Sequence, residues 1–159
     1  MKQRILALLV VTLLALTLCS CKTAQKKYAI GETWTVDGQW SLTVTSVTET
    51  ADRSDLFATR PEAVYIVEYT YTNIGYEDTR TMMDGLFFSL DESIVDSTGA
   101  AGYSYPVSFG SYPRETPIGE SCTAQVCVGV DHAGDFKLNV AMYDGTGTEQ
   151  TATFAIKVN

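Results

Sequence analysis

The chain has 159 residues, with 19 acidic against 11 basic side chains, a net charge of −8 at pH 7 and a pI near 4.5. The basic residues crowd towards the front: from Tyr28 onward 6 face 19 acidic ones, a net of −13. A domain of that sign repels phosphate, which excludes a nucleic-acid partner, and a chain of this length encloses one core without disulfide staples.

Lys2 and Arg4 open the chain, and Ile5 to Leu18 follow without a charge. Those 14 residues make about 21 Å of helix, short of the roughly 20 apolar residues that span a bilayer. A basic front, a short apolar run and small residues behind it predict a secretory signal peptide over residues 1–20. Its end, Leu18-Cys19-Ser20-Cys21, resembles the lipobox of bacterial lipoproteins, with an apolar residue three places before a cysteine and a small one directly before it. Cys19 follows the bulky Leu18 and does not fit. The resemblance implies that Cys21 is lipidated, becomes the mature N-terminus and holds the protein outside the bacterial cell membrane. An unlipidated secreted protein cut nearby is the alternative. Residues 21–27 carry Lys22, Lys26 and Lys27 without apolar periodicity and read as a tether. Its charge suits an anionic lipid surface, or is simply solvated.

Residues 28–159 form one domain dominated by period-two alternation. Short pieces at Tyr28–Ile30 and Thr33–Val36 open it. WSLTVTSV (40–47) places Trp40, Leu42 and Val44 on one face and Ser41, Thr43 and Thr45 on the other. VYIVEYTYTN (64–73) aligns Tyr65, Val67, Tyr69 and Tyr71 as core, and GLFFSL (85–90) reads as a short apolar strand. Cys122, Ala124, Val126, Val128 and Val130 share a face, as do Phe136, Leu138, Val140 and Met142, and then Ala152, Phe154, Ile156 and Val158. Turn-forming clusters separate the runs, and Asp144-Gly145-Thr146-Gly147 predicts a hairpin between the last two. Five residues of strand span about 16 Å, whereas bridged cysteine Cα atoms lie within about 7 Å. A bridge between Cys122 and Cys127 therefore needs a break in this strand, and no Gly, Pro or Asn lies between them to make one. Cys122 reads as core, and Cys127 lies on the outer face or under a loop. Seven or so such strands predict an all-β sandwich of two antiparallel sheets.

AIGETWTVDGQWSLTVTSVTET, then YIVEYTYTN, then TPIGESCTAQVCV are similar, in order and spacing, to a family of Gram-positive lipoprotein domains. Some of its members carry the catalogue name telomeric repeat-binding factor. The resemblance spans residues 28–158, apart from the TADRSDLFATRPEA insert and a long aromatic loop. It implies an immunoglobulin-like sandwich of about seven to nine strands and a cell-surface location. It supplies no catalytic residue.

The search for chemistry yields little. His132 is the one histidine, and no nucleophile or metalloprotease motif accompanies it. Cys122, Cys127 and His132 fall short of four convergent ligands, so neither metal nor cofactor is expected. Asp91, Glu92, Asp96, Asp131 and Asp135 read as solvated turn acids or a weak calcium site. Residues 97–117, STGAAGYSYPVSFGSYPRETP, form a long Gly- and Ser-rich loop spaced with Tyr103, Tyr105, Phe109 and Tyr112. That is the composition of binding loops; alternatively, the rings fold back over an open end of the sandwich. The expectation is a non-enzymatic surface module binding an envelope protein or glycan through these four residues. An envelope enzyme or enzyme inhibitor with an acidic site near Asp91 to Asp96, or an accessory subunit of a membrane transporter, stands as the alternative.

Overall fold

Alternating β-branched and aromatic residues pack best on a pleated, half-buried surface, and the strands form where that alternation is longest. The computed structural model describes residues 26–55, 60–77, 85–108 and 110–158. The signal peptide, Cys21, most of the tether and Phe109 lie outside the described residues.

The expected all-β, immunoglobulin-like sandwich forms, and no helix occurs among the described residues. Among the described residues the strands are β1 (Lys27–Tyr28), β2 (Thr33–Val36), β3 (Trp40–Thr50), β4 (Ala63–Asn73), β5 (Ile94–Val95), β6 (Tyr103–Ser104), β7 (Ser121–Val130), β8 (Phe136–Tyr143) and β9 (Glu149–Ile156). One sheet has the order β1-β9-β8-β5 and the other β2-β3-β4-β7-β6. Every pairing is antiparallel except that of β1 with β9. That parallel pair joins Lys27 to Thr153 and Tyr28 to Phe154.

The predicted inward faces are the core. Trp40, Leu42, Val44, Val67, Tyr69, Tyr71, Leu138 and Phe154 are all fully buried. Two features depart from simple alternation. The register of β3 on β4 jumps from Val44↔Tyr69 to Ser46↔Glu68. Thr45 is therefore the extra residue of a bulge, and parity inverts beyond it. Val47, rather than Ser46, then lies opposite the core residue Val67.

The second departure corrects the strand expected at 85–90. Leu86, Phe88 and Leu90 do alternate into the core, but the backbone makes only an isolated bridge, Leu86 to Thr116. Leu86 and Thr116 exchange both backbone bonds at 2.9 Å, and Gly85 beside them sits where a Cβ would come within 2.5 Å of the Thr116 carbonyl oxygen. The aromatic rings of the core meet edge to face around Trp40, with Trp34, Tyr76 and Phe88 at 5.6–5.8 Å from it. Edge-to-face contacts suit ring quadrupoles at such separations.

The Asp144 hairpin forms as expected, with five residues between β8 and β9. The left-handed position is Gly147, at φ 86°, rather than Gly145. Asp144 Oδ1 accepts from Thr146 N and Thr148 N, and Oδ2 from Gln150. The Thr146 hydroxyl bond leads the effects that, against burial, push its carboxyl down to about 2.

Candidate functional site

The long loop begins as a strap between the sheets. β5 lies in one sheet and β6 in the other, so residues 94–104 cross one end of the sandwich. Gly102 makes the crossing possible: a Cβ there would meet Ile94 Cγ2 at 2.5 Å and the Gly129 carbonyl oxygen at 3.0 Å. Beyond the strap, the rings part company. Tyr105 is buried against Val64 and Cys127 on the outer side of the β4–β7 pair, and Ser54 N–H donates to its hydroxyl at 3.0 Å. Tyr103 packs against this second cluster and donates to Asp131 Oδ1 at 2.9 Å. Burial first, and then that acceptor, push its phenol up to about 12.

Cys127 is therefore the cysteine under a loop, and Cys122 is in the main core; both are free thiols. Burial, with the charge of Asp52 second, pushes the Cys127 thiol up to about 11.

The rest of the loop runs along the β7 edge and is held at several points. Gln125 N–H donates to Ser111 O at 2.8 Å, and its side-chain oxygen accepts from Gly110 N at 2.9 Å. Tyr71 donates its hydroxyl to Arg114 O and accepts from Arg114 N at 3.0 Å. Between these anchors stands Tyr112, with 68% of its surface exposed. Of the four predicted binding residues, Tyr112 thus faces solvent, Tyr105 supports from within, Tyr103 lies half-buried, and Phe109 is outside the described residues.

The acids do not gather into one centre. Asp91 accepts from the Ser89 hydroxyl. Asp96 is buried at the end crossed by the strap. Its Oδ1 accepts from Thr98 N and Oγ1 and Ala100 N at 2.7–2.9 Å, and its Oδ2 from His132 Nδ1 at 2.6 Å. Burial opposes the Asp96 charge, but these donors outweigh it and hold the carboxyl well below its usual range. The same bond raises the imidazole above its ordinary value against partial desolvation, with help from the charges of Asp96, Glu62 and Asp131.

A catalytic relay needs its nucleophile at the imidazole nitrogen the carboxylate does not hold. Thr98 Oγ1 instead lies 3.3 Å from Nδ1, and it donates to Asp96. The group is a clamp between two crossovers, 96–100 and 131–135. A cavity of about 230 Å³ lies beside it, lined by Asp96, Asp135 and Lys157 among others. Lys157 is already paired with Asp135. No three His, Cys, Asp or Glu side chains are arranged to hold a metal among the described residues.

Two solved structures share this fold. The first, ycdA of Bacillus subtilis, is assigned as a lipoprotein; it aligns at TM-score 0.54 and 14% identity over 74% of this chain. This chain spans 37% of the length of that protein. The second, MPT63, a secreted protein of Mycobacterium tuberculosis, aligns at TM-score 0.50 and 13% identity over 86% of this chain and 100% of its own. At such identities the likeness is one of fold. No family model and no curated protein matches the sequence.

Sequence reasoning missed the clamp, because its partners are 36 residues apart and nothing local to either points to the other. Turn chemistry at Asp96 was visible; the histidine that reaches it was not.

Proposed function

We propose that this chain is a non-enzymatic binding module, lipid-anchored through Cys21 on the outer side of a bacterial membrane, that takes an envelope protein or glycan beside the 105–117 loop. The observation that carries this reading is Tyr112, a largely exposed ring on a segment pinned to β7 and to Tyr71. An amphipathic ring held on a braced loop loses little freedom on binding, which favours affinity. The likeness to a protein assigned as a lipoprotein and to a secreted protein supports the location.

The test is photo-cross-linking from position 112 in intact cells, with membrane fractionation. The native chain is expected in the membrane fraction with a discrete adduct, and Cys21→Ser is expected in the medium. Tyr112→Ala, assayed by retention on envelope preparations, should lose about tenfold in affinity, or about 1.4 kcal/mol. Retention unchanged in Tyr112→Ala overturns the loop assignment, and Cys21→Ser remaining membrane-bound overturns the anchor.

A further inference from the structure

The outward side of the larger sheet carries a pattern that is visible only in register. Thr33 lies opposite Thr43, Thr43 opposite Thr70, and Thr70 opposite Thr123. The adjacent row runs Thr35, Ser41, Thr72, Ser121. All eight positions, two on each of four neighbouring strands, bear a hydroxyl, while their inward neighbours Trp34, Leu42, Tyr71 and Cys122 are buried. Ser and Thr number 32 of 159 residues, so filling all eight positions exceeds what composition supplies. With strands about 4.8 Å apart and alternate residues about 6.7 Å apart, the array measures roughly 14 by 7 Å.

Threonine suits strands, and cross-strand hydroxyl pairs stabilise sheets. That explains part of the pattern. Thr33–Thr43, Thr70–Thr123 and Thr72–Ser121 are bonded pairs at 2.8–2.9 Å. Each pair uses one donor and one acceptor and keeps a donor and three acceptors for a ligand. Pairing also fixes the rotors in advance, which lowers the entropy cost of binding.

Charge decides the kind of partner. The domain is strongly acidic, yet none of the eight positions is charged. The carboxylate on the next row, Glu68, already accepts from Thr45 and Gln125. At the far margin, Glu120 pairs with Arg114 at 3.9 Å. An anionic polymer is repelled by the domain as a whole, and a cationic one finds no counter-charge among the eight positions themselves. Protein interfaces centre on aromatic or arginine anchors buried in pockets, and the eight positions offer none. A neutral polyol brings its own hydroxyls and is satisfied by direct or water-bridged bonds. Tyr112 adds an aromatic surface nearby: it follows Ser111, which bonds Gln125, two residues along β7 from Thr123. Because sheets twist by about 20–25° per strand, the array fits a single chain rather than a flat crystal face.

We propose that this hydroxyl array, flanked by Tyr112, binds a neutral, hydroxyl-rich glycan chain. The proposal rests on the binding-module reading and names its ligand class. Affinity electrophoresis of the purified mature domain through gels containing dextran, mannan or glycol chitin tests it, with anionic hyaluronan as the control. At least one neutral polymer is expected to retard the native domain. Thr43→Val/Thr70→Val/Thr123→Val, which keeps shape and β-propensity, is expected to weaken retardation about tenfold. The matching triple change to Ser should retain it, and Thr151→Val on the other sheet should be neutral.

An unchanged melting temperature confirms that the Val triple variant is folded. Were it unfolded, the single variant Thr70→Val would carry the same comparison, with a smaller loss expected. Failure of every neutral polymer to retard the domain, or retardation undiminished in the Val variants, overturns the proposal. So does a self-associated species in sedimentation velocity that the triple variant abolishes, since a second copy would then occupy the face. If the polymers fail while Tyr112-dependent cross-linking persists, the ligand class falls and the binding reading stands.

Discussion

Asp96 and His132 hold opposite charges at opposite edges of their usual ranges, and the sign of each shift sets a pH window. The Asp96 value is lowered from 3.8, so its contribution is present above that value and is lost as pH falls through the folded one. The His132 value is raised from 6.5, so its contribution is complete below 6.5 and is lost as pH rises through the folded value. The clamp is therefore strongest between the two ordinary values. Thermal unfolding followed from about pH 5 to about pH 9, the range in which histidine titrates, should show the native melting temperature falling on the alkaline side. His132→Gln should be less stable at the acid end of that range and should lose this slope. Asp96→Asn should be more damaging, because the same carboxylate also organises the backbone at Thr98 and Ala100. A native profile as flat as that of His132→Gln would show that the pair contributes nothing.

Among the strands, alternation served well where one face is buried and the other wet, because period-two burial is what a half-exposed strand records. It located the inward faces of β4, β7, β8 and β9, and of β3 as far as the bulge. It failed at Leu86, Phe88 and Leu90, since three side chains can alternate into a core without their backbone joining a ladder. It also could not foresee Thr45, because one extra residue leaves no compositional mark yet inverts everything after it. Ser41 and Thr43 were legible as one outward face; their alignment with Thr33, Thr70 and Thr123 depended on registers that only the folded sheet supplies. The close approach at Gly85 gives a sharp test. Gly85→Ala should destabilise the domain by about 1–3 kcal/mol, because the methyl group must push a backbone carbonyl aside. Urea unfolding measures it, and a change below about 0.5 kcal/mol, the ordinary range for surface substitutions, would show that the contact is loose.

Taken whole, the domain carries a charge of −13 from Tyr28 onward, with few cations to offset it. Self-repulsion of this kind destabilises a compact state and is screened as the Debye length shrinks from about 30 Å at about 0.01 M salt to about 8 Å at about 0.15 M. The melting temperature should therefore rise over that interval with sodium chloride; a fall would mean that the ion pairs outweigh the repulsion.

The parallel β1–β9 pair bears on how the domain would behave under tension. A pull on the chain ahead of Lys27 meets β1 before any other strand, and β1 resists with two ladder positions and the buried Tyr28 ring. Longer strands such as β3 and β4 lie further along the line of force, behind the turn at Gly31. β1 is thus a breakaway link: once it yields, each freed residue adds about 3.3–3.6 Å of leash. The next strand to take the load is then β2, which carries Thr33 and Thr35 of the hydroxyl array.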